Sequence, residues 1–296
     1  MDRTKKSYLY AGLAVFFWST IPTVFKIGLG ELDVLTMLAI ATFTSALVLF
    51  IIVVAGKKVD LLMKSSGKDL LISALLGLIN PFIYYLILLR AYKLLPAQVA
   101  QPLNMIWPII LVFLSVPLLK QKIPAKSFAA LLISFVGVYI ISSQGNPLHP
   151  GKSDTTGVLL ATGSSVFWAL YFIFNMKDKR DESVKLFTNF LFASFYLLVA
   201  VLIFRRTGSA ISFKGVAASV YVGIFEMGIT FYFWLMALQL SSTSDKVSNL
   251  VYLAPFLSLV FVHFIIKEPV YYTTPAGLLL IIGGIFIQNR RSKATV

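Results

Sequence analysis

Residues 118–121 read Leu-Leu-Lys-Gln, and 147 positions later residues 265–268 read Ile-Ile-Lys-Glu. Further pairs match at this offset or at one residue less: Pro108 with Pro255, Gly137 with Gly284, Gly77 with Gly223, and Asn80 with Glu226. A single match between apolar segments arises easily by chance. A constant order and a nearly constant offset instead indicate an internal repeat of about half the chain.

Apolar blocks fill the sequence on both sides of these matched segments. Of the 296 residues, 58% are apolar and 13% are charged, and a helix needs about 20 mostly apolar residues to cross a bilayer. The composition predicts an all-α polytopic membrane protein whose solvent is the lipid bilayer. We predict ten spans, numbered 1 to 10 in chain order: 8–28, 33–55, 69–91, 96–119, 125–143, 157–176, 185–204, 213–240, 245–266 and 272–288.

The repeat and the spans together predict the architecture. Each repeat holds five spans, an odd number, so the second copy enters the membrane from the opposite side. We therefore expect two inverted five-helix repeats, residues 1–145 and residues 146–296, within one membrane domain. Inverted repeats related by an axis in the membrane plane are typical of carriers that work by alternating access.

The basic residues indicate orientation and not a nucleic-acid partner. Eighteen of the 26 Lys and Arg residues fall on the side of the first residue and eight on the opposite side, which predicts cytoplasmic N- and C-termini. The net charge of +14 is spread in short clusters between apolar blocks, so binding of nucleic acid is not expected. Because the chain has no Cys and only two His, His149 and His263, we expect no metal site, and no cofactor is predicted.

Several of these residues also match a known family. They are the stretch from Trp18 to Lys26, Ala237-Leu238, Pro108 and Pro255, Lys267-Glu268, and the Gly-rich ends of spans 5 and 10. With them the chain resembles the EamA family of the drug/metabolite transporter superfamily along nearly its whole length, although Gln121 stands where such proteins commonly carry Glu. The resemblance implies export or exchange of metabolites, often amino acids, through a cavity lined by spans 1, 3, 4, 6, 8 and 9. It also implies the bacterial inner membrane.

Glu226 is the most informative single residue, because it lies near the middle of span 8. An ionised carboxylate is costly at that depth, and such residues mark functional sites by default. Ser219, Gly223 and Thr230 share its helical face, so this face is predicted to point inward. We hypothesise that Glu226, facing Asn80 across the repeat axis, binds a substrate ammonium group, a coupling proton, or each in turn. The alternative is a protonated Glu that hydrogen-bonds between packed helices.

Other polar and aromatic residues in the cavity-lining spans are candidates for substrate contact, although each alone is typical of helix packing as well. They are Trp18, Tyr84, Gln101, Asn104, Trp107, Trp168, Tyr171, Asn175, Ser248, Asn249 and Tyr252, together with Asn80, Glu226 and Thr230 above. Pro108 and Pro255 interrupt spans 4 and 9 and are candidate gating hinges or static kinks. Lys26 and Arg90 lie at helix ends, where they either anchor the helix by reaching water or help to bind an anion.

The function class predicted from these features is a secondary active transporter, an exporter of small amphipathic metabolites such as amino acids or organic cations. Proton coupling through Glu226 is part of this hypothesis, and the oligomeric state is left open. An anion exchanger of the sugar-phosphate type is less favoured, because it would place Lys or Arg inside the cavity. An intramembrane enzyme would need a cluster of acid-base residues that the sequence lacks. A receptor or assembly subunit is the third alternative.

Overall fold

The computed structural model of the chain describes residues 3–120, 125–148, 153–204, 211–240 and 249–289, and within these ranges it is helical without any strand. A π-helical turn, Leu78–Ile83, and a 3-10 helix, Asn249–Leu253, accompany the α-helices. The α-helices are α1 (Arg3–Glu31), α2 (Val34–Ala55), α3 (Val59–Met63), α4 (Gly67–Gly77), α5 (Tyr84–Leu94), α6 (Ala97–Asn104), α7 (Trp107–Leu119), α8 (Ala125–Ser142), α9 (Thr155–Lys177), α10 (Glu182–Phe204), α11 (Phe213–Phe225), α12 (Ile229–Leu240), α13 (Ala254–Ile266) and α14 (Thr273–Asn289).

Much of this helical structure has the dimensions of a membrane protein. Seven stretches within the described residues are long and apolar enough to cross a bilayer. They are Arg3–Glu31, Val34–Ala55, Gly67–Leu94, Ala97–Leu118, Thr155–Lys177, Glu182–Phe204 and Phe213–Trp234. Shorter apolar helices cover Phe128–Ser142, Leu250–Ile266 and Thr273–Ile287. The prediction of an all-helical membrane protein is confirmed.

Short polar side chains fix where several helices begin. Asp33 accepts a hydrogen bond from the Thr36 backbone N–H ahead of α2, and Asp154 accepts one from Gly157 ahead of α9. Ser66 caps α4 in a reciprocal capping box with its third residue, an aspartate. Such caps satisfy backbone donors that the first turn of a helix leaves unpaired. The apolar blocks therefore begin as helices at the polar residues between them.

Four predicted spans are not continuous helices. Span 3 is interrupted at 78–83, span 4 at 105–106, span 8 at 226–228, and span 9 changes from a 3-10 to an α-helix at residue 254. Pro108 and Pro255 lie in the first turn of α7 and α13, where a missing backbone N–H removes no intrahelical bond. The two prolines thus begin new helices and do not kink the interior of one.

Contacts between helix ends define two sides of the bundle: Lys26 meets Leu95 and Glu268 on one, and Ser7 meets Ala237 on the other. We call the side that holds Arg3 and Asn289 the terminus side, and the side that holds Glu31 and Leu94 the far side. Ion pairs lie on each: Lys58 with Asp181 on the terminus side, at 2.9 Å, and Lys214 with Glu31 on the far side, at 3.4 Å.

Positions matched by the repeat have matched geometry. Lys120 and Lys267 both end their helices in the left-handed conformation, with φ of 54° and 58°. A Cβ on Gly137 would lie 2.6 Å from the Gly277 carbonyl oxygen, and one on Gly284 would lie 2.8 Å from that of Ala130. Since 130 and 137 become 277 and 284 when 147 is added, the two contacts between α8 and α14 are copies of each other.

Two further glycines, each three residues before Asn80 or Glu226, allow close packing in spans 3 and 8. A Cβ on Gly77 would overlap the Asn189 carbonyl oxygen of α10, and one on Gly223 would overlap the Ala41 carbonyl oxygen of α2. The first halves of the two broken spans are thereby held directly against a neighbouring helix backbone. This packing positions the residues that follow, Asn80 and Glu226.

Candidate functional site

Glu226 occupies the gap between α11 and α12, where the helix opens for three residues. Its Oε1 accepts a hydrogen bond of 2.9 Å from the Tyr85 hydroxyl, and Tyr85 itself is buried in α5. The side chain of Glu226 is partly exposed, and no ion pair with it is found among the described residues. The carboxylate is therefore held by one phenol and keeps capacity for a further donor.

The opened helix has its backbone carbonyls satisfied by hydroxyl groups. Ser45 of α2 donates to the Met227 carbonyl oxygen at 2.9 Å, and Thr230 donates to that of Phe225. An irregular backbone within a membrane is tolerated only when its polar groups find such partners. Thr230, predicted as a substrate contact, is fully buried and committed to this bond.

Asn80 occupies the matching gap in span 3. Its backbone is extended, with φ −145° and ψ 124°, and its side chain is 2% exposed. The Asn80 amide lies beside the Tyr171 hydroxyl, which also receives a hydrogen bond of 3.4 Å from Asn189. The two repeat partners thus share a break in the helix but face different phenols: Glu226 accepts a hydrogen bond from Tyr85, whereas Asn80 lies beside Tyr171.

Aromatic rings form a wall beside these two gaps, with Trp168 of α9 at its centre. The Trp168 ring lies 5.0 Å from Tyr84, 6.1 Å from Tyr171 and 6.3 Å from Trp107, measured between ring centroids. Phe231 of α12 also lies 6.1 Å from Trp168. Spans 3, 4, 6 and 8 all contribute to this wall, and four of its members, Tyr84, Trp107, Trp168 and Tyr171, are candidates for substrate contact.

Phe231 also links the wall to α1. Its centroid lies 5.9 Å from that of Trp18, which in turn lies 5.5 Å from that of Trp234. The sequence interpretation did not include Phe231 or Trp234. Their helical spacing from Glu226 could have indicated that they lie near it. That spacing assumes a continuous helix, however, and the helix is interrupted at 226–228.

A line of polar side chains joins α5, α6 and α9 next to the wall. Tyr84 donates to Asn104 Oδ1 at 3.2 Å, and Asn104 Nδ2 donates to Ser164 Oγ at 2.8 Å. Ser258 of α13 donates to Gln101 of α6. Tyr84, Asn104 and Gln101 are therefore committed to helix-helix hydrogen bonds in this state of the protein.

The remaining candidates are placed elsewhere or are not described. The Asn175 carbonyl oxygen, at the terminus side of α9, accepts a hydrogen bond from Lys185. Tyr252 packs against Phe286, with 5.6 Å between ring centroids. Ser248 and the side chain of Asn249 lie outside the described residues.

Charged groups on the far side tie three helix ends together. Lys26 Nζ donates to the carbonyl oxygens of Tyr92 and Leu95 at 2.9 and 3.0 Å, and lies 3.9 Å from Glu268. Glu268 accepts the Ala97 backbone N–H at 2.9 Å, and so caps α6. Burial raises the pKa of Glu268, while the nearby ammonium of Lys26 opposes that rise. Lys26 is thus an internal link between helices, whereas its position at a helix end had favoured an anchor at the water surface.

Gln98 continues this connection next to Lys26. Its Oε1 accepts hydrogen bonds of 3.0 Å from the Tyr271 backbone N–H and from the Thr274 hydroxyl, and its Nε2 donates to the Pro269 carbonyl oxygen. Together Lys26, Gln98 and Glu268 join α1, α5 and α6 to the segment between α13 and α14. We call these three residues the far-side latch.

A second charged cluster lies on the terminus side, between α9 and α10. Arg180 donates through Nε to Asp178 at 3.0 Å and through Nη2 to Ser73 of α4 at 2.7 Å. Lys185 is 2% exposed and lies 2.7 Å from Glu182. The sequence interpretation treated these basic residues only as orientation signals. The apolar residues that flank Lys185 were the only hint that it is buried.

Within the described part of the chain, no group of three or more His, Asp or Glu side chains is arranged to hold a metal ion. The chemistry of the candidate site is therefore that of one carboxylate, several phenols and amides, and a wall of indole and phenyl rings. Such a site suits a small organic molecule with a positive group, because carboxylates and aromatic faces both attract cations.

Comparison with known proteins agrees with this description. The profile of the EamA-like transporter family matches the chain twice, over residues 5–143 and 155–290. An uncharacterized transporter of Bacillus subtilis (strain 168), YvbV, is 27% identical, covering 99% of this chain and 94% of that protein. An uncharacterized transporter of Clostridium kluyveri is 26% identical, covering 98% and 94%.

A solved crystal structure has the same fold. It superposes with a TM-score of 0.67 at 18% sequence identity, and the match covers 96% of each chain. The two copies of the family profile together span nearly all of the apolar helices described above. The chain is an integral membrane protein that belongs to the EamA-like transporter family.

Proposed function

We propose that this protein is a secondary active transporter that exports a small cationic or zwitterionic metabolite, such as an amino acid or an organic cation. The observation that carries the proposal is the carboxylate of Glu226, which lies at an opening in the helix and, among the described residues, has Tyr85 as its one partner. A carboxylate inside a membrane bundle is costly, so its presence marks a functional site by default. In our proposal this carboxylate binds the solute's ammonium group, a coupling proton, or each in alternate steps.

Ten spans in two inverted repeats, residues 1–145 and 146–296, are the architecture that we infer. The two matches of the family profile support it, as do the left-handed ends at Lys120 and Lys267 and the copied contacts between α8 and α14. In such a fold the solute site lies where the repeats meet, at helices interrupted near mid-membrane. The gaps at Asn80 and Glu226 fit that description.

The far-side latch gives this proposal a direction of access. It joins the far-side ends of α1, α5 and α6 to the segment that follows α13, so hydrogen bonds hold these helix ends together on the far side. With both termini cytoplasmic, the far side faces out, and the site would receive its solute from the cytoplasm. Alternating access then requires the latch to open during export.

Orientation is testable because the chain has no cysteine. Lys64 and Lys214 are exposed on opposite sides of the bundle, the terminus side and the far side. In intact cells we expect a membrane-impermeant maleimide to label Lys214→Cys and to spare Lys64→Cys. The reverse pattern would contradict cytoplasmic termini, and the direction of transport would then be reassigned.

Flux through reconstituted protein tests the function itself. Proteoliposomes are loaded with amino acids, polyamines or aromatic cations, and counterflow is measured with and without a pH gradient. We expect saturable flux of one class and a loss of about tenfold or more in Glu226→Gln, since a neutral amide does not pair with an ammonium group or take up a proton. If the pH gradient stimulates flux through the natural protein but not through Glu226→Gln, Glu226 binds the coupling proton.

The matched control is Glu31→Gln, the same chemical change at the far-side end of α1, where Glu31 meets Lys214 and Ser212. This variant should transport as the natural protein does. Flux of no solute class would contradict the carrier, and unchanged flux and pH dependence in Glu226→Gln would remove the carboxylate from the mechanism.

A further inference from the structure

A lateral groove opens between α2, α5, α9 and α10 on the far side and encloses about 890 Å³. Each helix contributes apolar side chains to its wall, including Leu35, Leu86, Leu160 and Phe204. Phe204 is 70% exposed, so the groove opens away from the bundle interior. Its volume lies within the range of about 300–1,000 Å³ that is typical of ligand pockets. In a membrane, an apolar groove with this exposure faces the acyl chains of lipid.

Two cations lie in the same groove at its membrane-surface end. Arg90 and Lys93 are three residues apart in α5 and so share one face of that helix. Both are exposed, and neither forms an ion pair in the part of the chain that the structure describes. The acidic residue at this rim is Asp33, whose carboxylate accepts hydrogen bonds from the backbone N–H and the hydroxyl of Thr36.

General rules of membrane proteins account for only part of this arrangement. Basic residues in the last turn of a helix favour its dipole, and long basic side chains reach the water surface anywhere. Neither rule requires both cations to line one apolar groove. The repeat does not require them either, because the positions 146 residues later are Met236 and Gln239, which are uncharged.

We propose that this groove binds an anionic phospholipid. One acyl chain lies along the wall formed by α2, α9 and α10, and the phosphate lies between Arg90 and Lys93. Charge complementarity selects the headgroup, since anionic lipids are attracted to basic side chains at the membrane surface. The groove does not include Glu226 or the aromatic wall, so this site stands whether or not the transport proposal holds.

Lipid retention by the purified full-length chain tests the site. The protein in detergent is incubated with phosphatidylglycerol or phosphatidylcholine of identical acyl chains, and bound lipid is counted by native mass spectrometry. We expect phosphatidylglycerol to be retained about tenfold more strongly, because two basic side chains favour the anionic headgroup. The double variant Arg90→Gln/Lys93→Gln should retain both lipids equally, whereas Arg90→Lys/Lys93→Arg should still prefer phosphatidylglycerol.

Two further variants separate the parts of the site. Lys214→Gln removes a far-side cation that does not line the groove, and it should keep the preference. Ala200→Phe fills the groove wall, and it should reduce retention of both lipids. Glycerol phosphate, which has no acyl chain, should not displace phosphatidylglycerol.

Each opposite result would overturn the proposal. Equal retention of the two lipids by the natural protein would show no headgroup selection. An unchanged preference in the folded Gln double variant would place the selecting charge elsewhere, and unchanged retention in Ala200→Phe would place the acyl chain elsewhere. Displacement by glycerol phosphate would make this a site for a soluble phosphate and not for a lipid.

Discussion

Replacing Gly223 by Ala should destabilise the protein and move Glu226. A Cβ at Gly223 would overlap the Ala41 carbonyl oxygen and lie 2.6 Å from Thr44 Cβ, and backbone atoms cannot rotate away. Overpacking of this kind costs about 1–3 kcal/mol, while Ala favours a helix interior by about 1 kcal/mol over Gly. The net expectation is a loss of up to about 2 kcal/mol in the free energy of unfolding.

The control for this prediction is Gly163→Ala in α9, where an added Cβ meets nothing within 4 Å. There the helical preference acts alone, so the variant should gain up to about 1 kcal/mol. Unfolding in mixed micelles, followed by circular dichroism, measures both variants under the same conditions. Because Gly223 lies one turn before Glu226, its variant should also bind the transported solute more weakly. Equal stability of the two variants would refute the packing argument.

Two further predictions concern charges at the two sides of the bundle. Lys26→Met should lower the free energy of unfolding by about 1–3 kcal/mol, because two carbonyl oxygens lose their donor. The control, Lys214→Met, should change the free energy of unfolding by less than about 0.5 kcal/mol. Equal effects of the two substitutions would contradict the internal role of Lys26. Asp178 should make stability depend on acid: burial would raise its pKa, but the hydrogen bonds and charge of Arg180 outweigh burial and hold that pKa below its usual value. This stabilisation is present above about pH 4 and lost as pH falls through the lower folded pKa, so thermal unfolding measured from pH 6 to pH 3 should show a smaller decline in Asp178→Asn.

The sequence was sufficient to predict the helices, because length and hydropathy determine which segments are stable in lipid. The predicted span 33–55 corresponds to Val34–Ala55, and 125–143 corresponds to Ala125–Ser142. The cap at Asp33 explains the agreement for the first of these, since a polar cap at the start of an apolar block fixes where the helix begins.

The interruptions were harder to predict, because an apolar composition does not distinguish a continuous helix from a broken one. The repeat did pair Asn80 with Glu226, and both residues lie at interruptions. It did not reveal Tyr85 as the partner of Glu226, since that contact joins α5 to the gap between α11 and α12 across the bundle. Local sequence carries no signal for such a long-range hydrogen bond.

Buried charges were the other failure of sequence reasoning. Positive charges near helix ends usually reach water, and that expectation was applied to Lys26, while Lys185 was counted only as an orientation signal. Both instead donate to backbone carbonyl oxygens that lack a helical partner at the ends of α5 and α9. Which ammonium group turns inward depends on which carbonyl ends lie nearby, and that is a property of the folded bundle.

The interruption at Asn80 divides one membrane span into two mechanical units. α4, before it, packs against α10, while α5, after it, packs against α9. A rotation of the backbone at Asn80 would therefore be transmitted through α5 to α9, while α4 keeps its packing against α10. The two halves of this span are thus packed against different neighbours, so a change in the angle between them would shift α9 relative to α10 without separating either half from its partner.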